Sequence, residues 1–191
     1  MKTRQTLVAL SAAPRDEFVR VLGGIFEHTP WIAERAYAAR PFASVDDLHR
    51  AMVAALASAS REAKLALICA HPELAGNEAA AGTMTADSAG EQASAGLDRC
   101  TPEELARLRS GNHAYRDKFG FPFVMAVKGK SRQEILTALA SRVGGTRDAE
   151  FARCIEEIGK IARLRLDALL ASQPPAKDTD LERRGEMPWP R

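Results

Sequence analysis

Apolar residues recur along this chain at three- and four-residue intervals, and most of these runs are introduced by a residue that caps helices. Pro14 stands in position for a first turn, ahead of Phe18, Leu22, Ile25 and Phe26. Thr29 and Pro30 head a short run through Tyr37. Ser44 with Asp47 resembles a capping box before Leu48, Met52 and Leu56. Ser60 heads Leu65, Ile68 and Cys69. That run stops at His71-Pro72, because a residue before proline is pushed out of the helical region. The same punctuation recurs as Ser88 with Glu91, as Thr101 with Glu104 before Leu105, Leu108 and Tyr115, and as Ser131 with Glu134 before Ile135, Leu136 and Leu139. The last run, from about Arg147 to Ser172, carries a stripe of Phe151, Cys154, Ile155, Ile158, Ile161, Ala162 and Leu169. Only Phe121 to Val127 reads as extended, and Pro122 demotes it as a central strand. The pattern predicts an all-α fold, a single-domain helical bundle of about seven to nine helices over residues 1–172. From Gln173 to Arg191 the chain is proline-rich and charged, and a mobile tail is expected there.

Composition narrows the function classes. Apolar residues are 46% and charged residues 27%, as in an ordinary globular protein, and alanine abundance favours helices over sheets. A net charge of +2, with acids interspersed among the bases, argues against a nucleic-acid partner. No apolar run has the length of a membrane span, and the first fourteen residues make a poor signal peptide, so they read as the mature start. Three cysteines without CxxC spacing, Cys69, Cys100 and Cys154, suggest reduced thiols, with Cys69 and Cys154 expected to be buried. There is no HxxxH, and His28, His49 and His113 share no ligand spacing, so no metal is expected. GxSxG, P-loop and GxGxxG motifs are absent.

The chemistry concentrates between Ala70 and Gly96. His71 is expected at a helix C-terminus, which favours an imidazolium able to hold or return a proton. Glu91 and Gln92 are expected just inside the next helix. Two readings fit Glu91: it caps Ser88 through the backbone, or it faces a cavity. Small residues around it (Ala89, Gly90, Ala93, Ala95, Gly96) imply that something packs close to this helix start, whose N–H groups suit an anion. Arg165 falls on the apolar face with Ile158, Ala162 and Leu169, whereas Arg163 falls off it. A charge on that face either pairs in a polar cavity or snorkels to water. The extended FPFVMAV segment closes the core, or offers spare backbone groups to a planar ligand.

These elements together resemble the OHCU decarboxylase family, whose members act on 2-oxo-4-hydroxy-4-carboxy-5-ureidoimidazoline in uric acid degradation. The resemblance rests on HPELAG at 71–76, SAGEQASAGL at 88–97, N-x-x-Y at 112–115, KFGFPFVMAVKG at 118–129 and KIARLRL at 160–166, and it spans about residues 10 to 171. It implies an all-helical, cofactor-free, usually dimeric enzyme, and the high alanine and arginine content suits a bacterial cytoplasmic protein. It places catalytic roles on His71 and Glu91. It places substrate binding on Pro72, on Ser88, Ala89, Gly90, Glu91 and Gln92, on Phe123, Val124, Met125, Ala126 and Val127, and on Arg165. The substrate so implied carries a C=N bond beside the carboxylate-bearing carbon. That bond is a built-in sink for the electron pair left by CO2, so the protein has to orient, stabilise and protonate one face. In this reading His71 donates the proton, Glu91 holds the hydroxyl or a ring nitrogen and fixes the imidazole, and Arg165 binds an oxygen of the substrate. Two alternatives are a hydrolase or lyase of a related ureide and a non-catalytic helical interaction module. Product analysis separates the first, and an exposed apolar groove would mark the second.

Overall fold

A computed structural model of the protein describes residues 6–170. The tail predicted from Gln173 onward lies outside the described residues. Ten α-helices and two short 3-10 turns make up the fold, with no strand among the described residues. The helices are α1 (Leu7–Ala12), α2 (Arg15–Leu22), α3 (Trp31–Ala36), α4 (Val45–Ala57), α5 (Arg61–Ala70), α6 (Asn77–Ala81), α7 (Ala86–Ser94), α8 (Pro102–Phe119), α9 (Arg132–Val143) and α10 (Arg147–Leu170). None is long and apolar enough to cross a membrane.

Side-chain caps set most of the starts. Thr6, Ser44, Ser60, Thr85, Thr101 and Ser131 each accept a hydrogen bond from a backbone N–H in the first turn. Thr101 with Glu104 and Ser131 with Glu134 form complete capping boxes. Pro14 and Pro30 stand one residue outside their helices, as N-caps. Thr29 turns its hydroxyl back to the Phe26 carbonyl. Gly120 ends α8 in the left-handed region at φ 80°, where a side chain would be strained. Helices α1 and α6 have five or six residues, too few for a periodic signal in the sequence.

The 24-residue α10, about 36 Å long at 1.5 Å per residue, is the axis of the core. It packs on α4, α5 and α8, and it buries Phe151, Cys154, Ile158, Ile161, Ala162 and Leu166 at helical spacing. Helices α8 and α9 pack as a close pair. A Cβ on Gly111 would stand 2.6 Å from Leu139 Cδ2, so glycine permits that approach. The segment joining them, 120–131, runs as an irregular extended stretch across the core. Its Phe121 and Phe123 join Tyr115, Phe119 and Phe151 in an aromatic cluster with ring centroids 4.6–6.1 Å apart. Of the two cysteines expected inside, Cys154 is buried and Cys69 is exposed. Leu67 and Ile68 take the inward positions of α5, and helical rotation carries Cys69 outward.

Candidate active site

His71 is the C-cap of α5, its backbone already extended (φ −77°, ψ 132°) as the following proline requires. Its side chain folds back over the last turn, with Nδ1 2.9 Å from the carbonyl oxygen of Leu67. A carbonyl only accepts, so Nδ1 carries the hydrogen and Nε2 holds the lone pair. Nε2 is buried and has no hydrogen-bond partner among the described residues. Burial is the largest influence on this imidazole and pushes its pKa below the ordinary value. The Leu67 carbonyl and the Glu27 carboxylate pull it back up, and the nearby charges of Arg165 and His28 add to the lowering. The imidazolium expected from the helix dipole is therefore corrected. At 6% exposure, desolvation outweighs the helix end, and the resting group is a neutral base.

Helix α7 supplies the opposite wall. Its cap is Thr85, which accepts from the Ser88 N–H, so the helix starts three residues earlier than the Ser88–Glu91 pattern implies. Glu91 is thus well inside the helix and has no capping role. Ser88, Glu91 and Gln92, at i, i+3 and i+4, share the face that lines the cavity. Ala89 and Gly90 fall on the other side of the same helix and are not part of the lining. Gly90 has nothing within 4 Å of its Cβ direction, so no close packing demands a glycine there. Gln92 also braces the chain after His71. Its Oε1 accepts from the Ala75 N–H at 2.9 Å, and its Nε2 donates to the Glu73 carbonyl at 3.2 Å. Ala75 has φ 51°, and this clamp holds the unusual turn.

The third wall is the extended segment. Phe123, Val124, Met125 and Val127 line the cavity with Pro72, and the sequence reading anticipated all five. Leu74 and Ile161 line it as well and were not anticipated. Two charges pin the segment: half-buried Arg142 donates to the Val124 carbonyl at 2.9 Å, and the Ala126 N–H donates to buried Glu157 at 2.9 Å. Ala126 is outside the lining, and its amide is engaged by Glu157. The cavity so enclosed has about 330 Å³ of empty space, its open side included.

Arg165 is not itself part of the cavity lining but pairs with two residues that are, Ser88 and Glu91. Its Nε and Nη2 donate to the two oxygens of Glu91 at 2.7 and 3.0 Å. Nη2 also donates to Ser88 Oγ at 3.1 Å, and Nη1 donates to Glu27 at 2.7 Å and to the Ile25 carbonyl at 3.4 Å. All five N–H groups are engaged by protein acceptors in this structure. Burial works against the guanidinium's charge, but Glu91 and Glu27 outweigh it and raise its pKa. Arg163, off the stripe, pairs at the surface with Asp46 and Asp167.

Glu27 is the functional candidate that sequence reasoning missed. It sits between α2 and α3, 2% exposed, and both its oxygens are engaged. Burial alone would raise its carboxyl pKa, but the Thr85 hydrogen bond and the charge and hydrogen bond of Arg165 take it below the ordinary range. One signal was available: an arginine inside a bundle needs counter-charge, and Glu27 directly follows the apolar pair Ile25-Phe26.

An all-helical domain with a small, half-apolar cavity holding one unpartnered imidazole and one clamped carboxylate defines an acid–base site of small-molecule type. The sequence profile of the OHCU decarboxylase family matches residues 11–167, and the chain belongs to that family. It is 41% identical over 167 residues to a 2-oxo-4-hydroxy-4-carboxy-5-ureidoimidazoline decarboxylase of Halalkalicoccus jeotgali, covering 87% of this chain and 93% of that one. A relative with the same name in Haloferax volcanii is 42% identical over 168 residues, covering 88% of this chain and 98% of the relative. The fold matches a crystal structure of (S)-allantoin synthase with a TM-score of 0.69 at 33% identity, over 87% of this chain and 54% of that one.

Proposed function

We propose that this protein is a carbon–carbon lyase that decarboxylates 2-oxo-4-hydroxy-4-carboxy-5-ureidoimidazoline to (S)-allantoin in uric acid degradation, with no cofactor. The observation that carries the reading is the pair formed by His71, whose buried Nε2 lone pair lacks a partner, and Glu91, held by Arg165 in the lining of the same cavity. The names of the relatives support the substrate and the product.

The neutral imidazole gives the chemistry a direction. His71 Nε2 takes the proton of the substrate's 4-hydroxyl as the bond to CO2 breaks. The electron pair released from the C–CO2 bond forms a C4–C5 double bond and displaces the C=N pair onto the ring nitrogen, leaving an ene-diamine-like enolate whose C4 becomes a carbonyl carbon when C5 is protonated. C5 and the ring nitrogen each gain a hydrogen. One is the former hydroxyl proton, returned by His71 to one face of C5, and the other comes from water in place of the proton the carboxylate lacked. Ser88 and Glu91 orient the hydroxyl and the ring edge, and Gln92 keeps its place beside the 73–75 turn. Phe123, Val124, Met125 and Val127 hold the ring and keep water off the intermediate. The chain is further read as a cytoplasmic homodimer, which sedimentation of the purified protein tests.

The functional reading is tested by following freshly generated substrate by circular dichroism. The enzyme is expected to yield optically active allantoin and CO2 faster than the spontaneous decay to racemate. Release of ammonia or urea would point to hydrolysis of a ureide instead.

A further inference from the structure

Two carboxylates flank the single guanidinium of Arg165. Glu91 takes Nε and Nη2, and Glu27 takes Nη1 at 2.7 Å. Glu27 does more than pair with the arginine. Its Oε1 accepts from the Thr85 hydroxyl at 2.7 Å, and Thr85 is the residue that caps α7. Its Oε2 accepts from Ser88 Oγ at 3.0 Å, and Ser88 lines the cavity while Glu27 does not. One carboxylate therefore joins the α2–α3 connection, the first turn of α7 and the far end of α10, with α7 carrying the polar wall of the site.

We propose that Glu27 is a positioning residue: it anchors Arg165 and the start of α7 from outside the cavity, and so presents Ser88 and Glu91 to the substrate in one fixed arrangement. A second consequence follows from charge. The Glu27 carboxylate acts on His71 and favours the imidazolium as His71 takes up its proton. The charged and titratable groups that face His71 are Glu27, Arg165 and His28; the last two oppose this effect. This inference rests on the role given to His71 above.

Glu27→Gln and Glu27→Asp separate the two effects. Glutamine keeps the shape and loses the charge; aspartate keeps the charge and shortens the reach. For Glu27→Gln the expected result is a kcat lowered about tenfold or more with KM changed less than about threefold, because a displaced wall costs rate before it costs binding. The acid limb of kcat/KM should also move to lower pH, and the His71 titration read by NMR of the imidazole should fall with it. Glu27→Asp should lower kcat by a smaller factor and leave that limb in place. A glutamine variant with wild-type kcat, or one whose His71 titrates as in the wild type, overturns the corresponding half of the proposal. Should the glutamine variant not fold, aspartate decides alone: wild-type kcat overturns the positioning role, and a kcat about fivefold lower at unchanged KM supports it. The NMR titration needs no turnover. A wild-type enzyme inactive on fresh substrate would therefore defeat the functional reading while leaving the link between Glu27 and His71 to be judged separately.

Discussion

Two arginines on successive helices, Arg165 buried and Arg142 half-buried, make an instructive pair. Arg165 of α10 lies between Glu27 and Glu91; Arg142 of α9 lies against Glu150, with Tyr115 and Cys154 beside it. Both are satisfied ion pairs in the same core. They differ in what is left open. Around Arg142 each polar group is enclosed: Glu150 accepts from Arg142 Nε at 2.7 Å and from the Tyr115 hydroxyl at 2.6 Å, and its side chain is 8% exposed. Around Arg165, the Glu91 side chain keeps 21% exposure, Ser88 borders a cavity, and His71 Nε2 nearby has no partner. The lesson is that burial of a charge marks structure, whereas burial with one group left unsatisfied beside a cavity marks chemistry.

The comparison breaks most visibly at His71. His71→Gln removes the base and leaves little changed in packing, so kcat/KM should fall by about 10³-fold with the fold retained. A variant that unfolds, or one that keeps its activity, would put His71 in the structural class of Arg142. Next in size is Glu150→Gln, which leaves the Arg142 guanidinium buried without its counter-charge. Its unfolding free energy should drop by about 3 kcal/mol in a denaturant titration. Activity per folded molecule should stay within about threefold of wild type, apart from what the loosened Val124 carbonyl costs.

Titration sharpens the contrast. Burial holds the folded-state pKa of His71 below its ordinary 6.5, so the unfolded chain takes up a proton first as pH falls. The stability present above pH 6.5 is therefore lost as pH drops from there through the folded-state value. Glu27, also lowered in the folded state, adds a second loss below its ordinary 4.5. Melting temperatures measured across this range should show both steps, and His71→Gln should erase the upper one. The smallest effects are expected off the site. Gly90→Ala, in the middle of α7 with open space around its Cβ, should stabilise by about 0.5–1 kcal/mol and leave kcat unchanged. Arg163→Lys should be nearly silent, because its partners Asp46 and Asp167 lie at the surface.

Much of this site was legible along the chain, and the misses have two causes. His71-Pro72 announces a helix end, and the end is there. Arg165 on an apolar stripe announces a buried charge, and it is buried. What one-dimensional reading lacked was the register of α7. With Ser88 taken as the cap, Ala89, Gly90 and Glu91 all fall in the first turn and look equivalent. With Thr85 as the cap, helical rotation sends Ala89 and Gly90 away and keeps Ser88, Glu91 and Gln92 on the cavity. Glu27 was lost for a different reason. It sits in an irregular connection, where no periodicity assigns a face, and only the fold brings it within reach of Arg165, 138 residues later.

The central claim is that a neutral, buried His71 and an arginine-clamped Glu91 act together on one substrate. The most direct test is the initial rate of (S)-allantoin formation from fresh substrate, compared in wild type, His71→Gln, Glu91→Gln and the double variant. Each single change should cost nearly as much as both together, because residues that act as a unit do not add. Losses that multiply, or wild-type rates in either single variant, would contradict it.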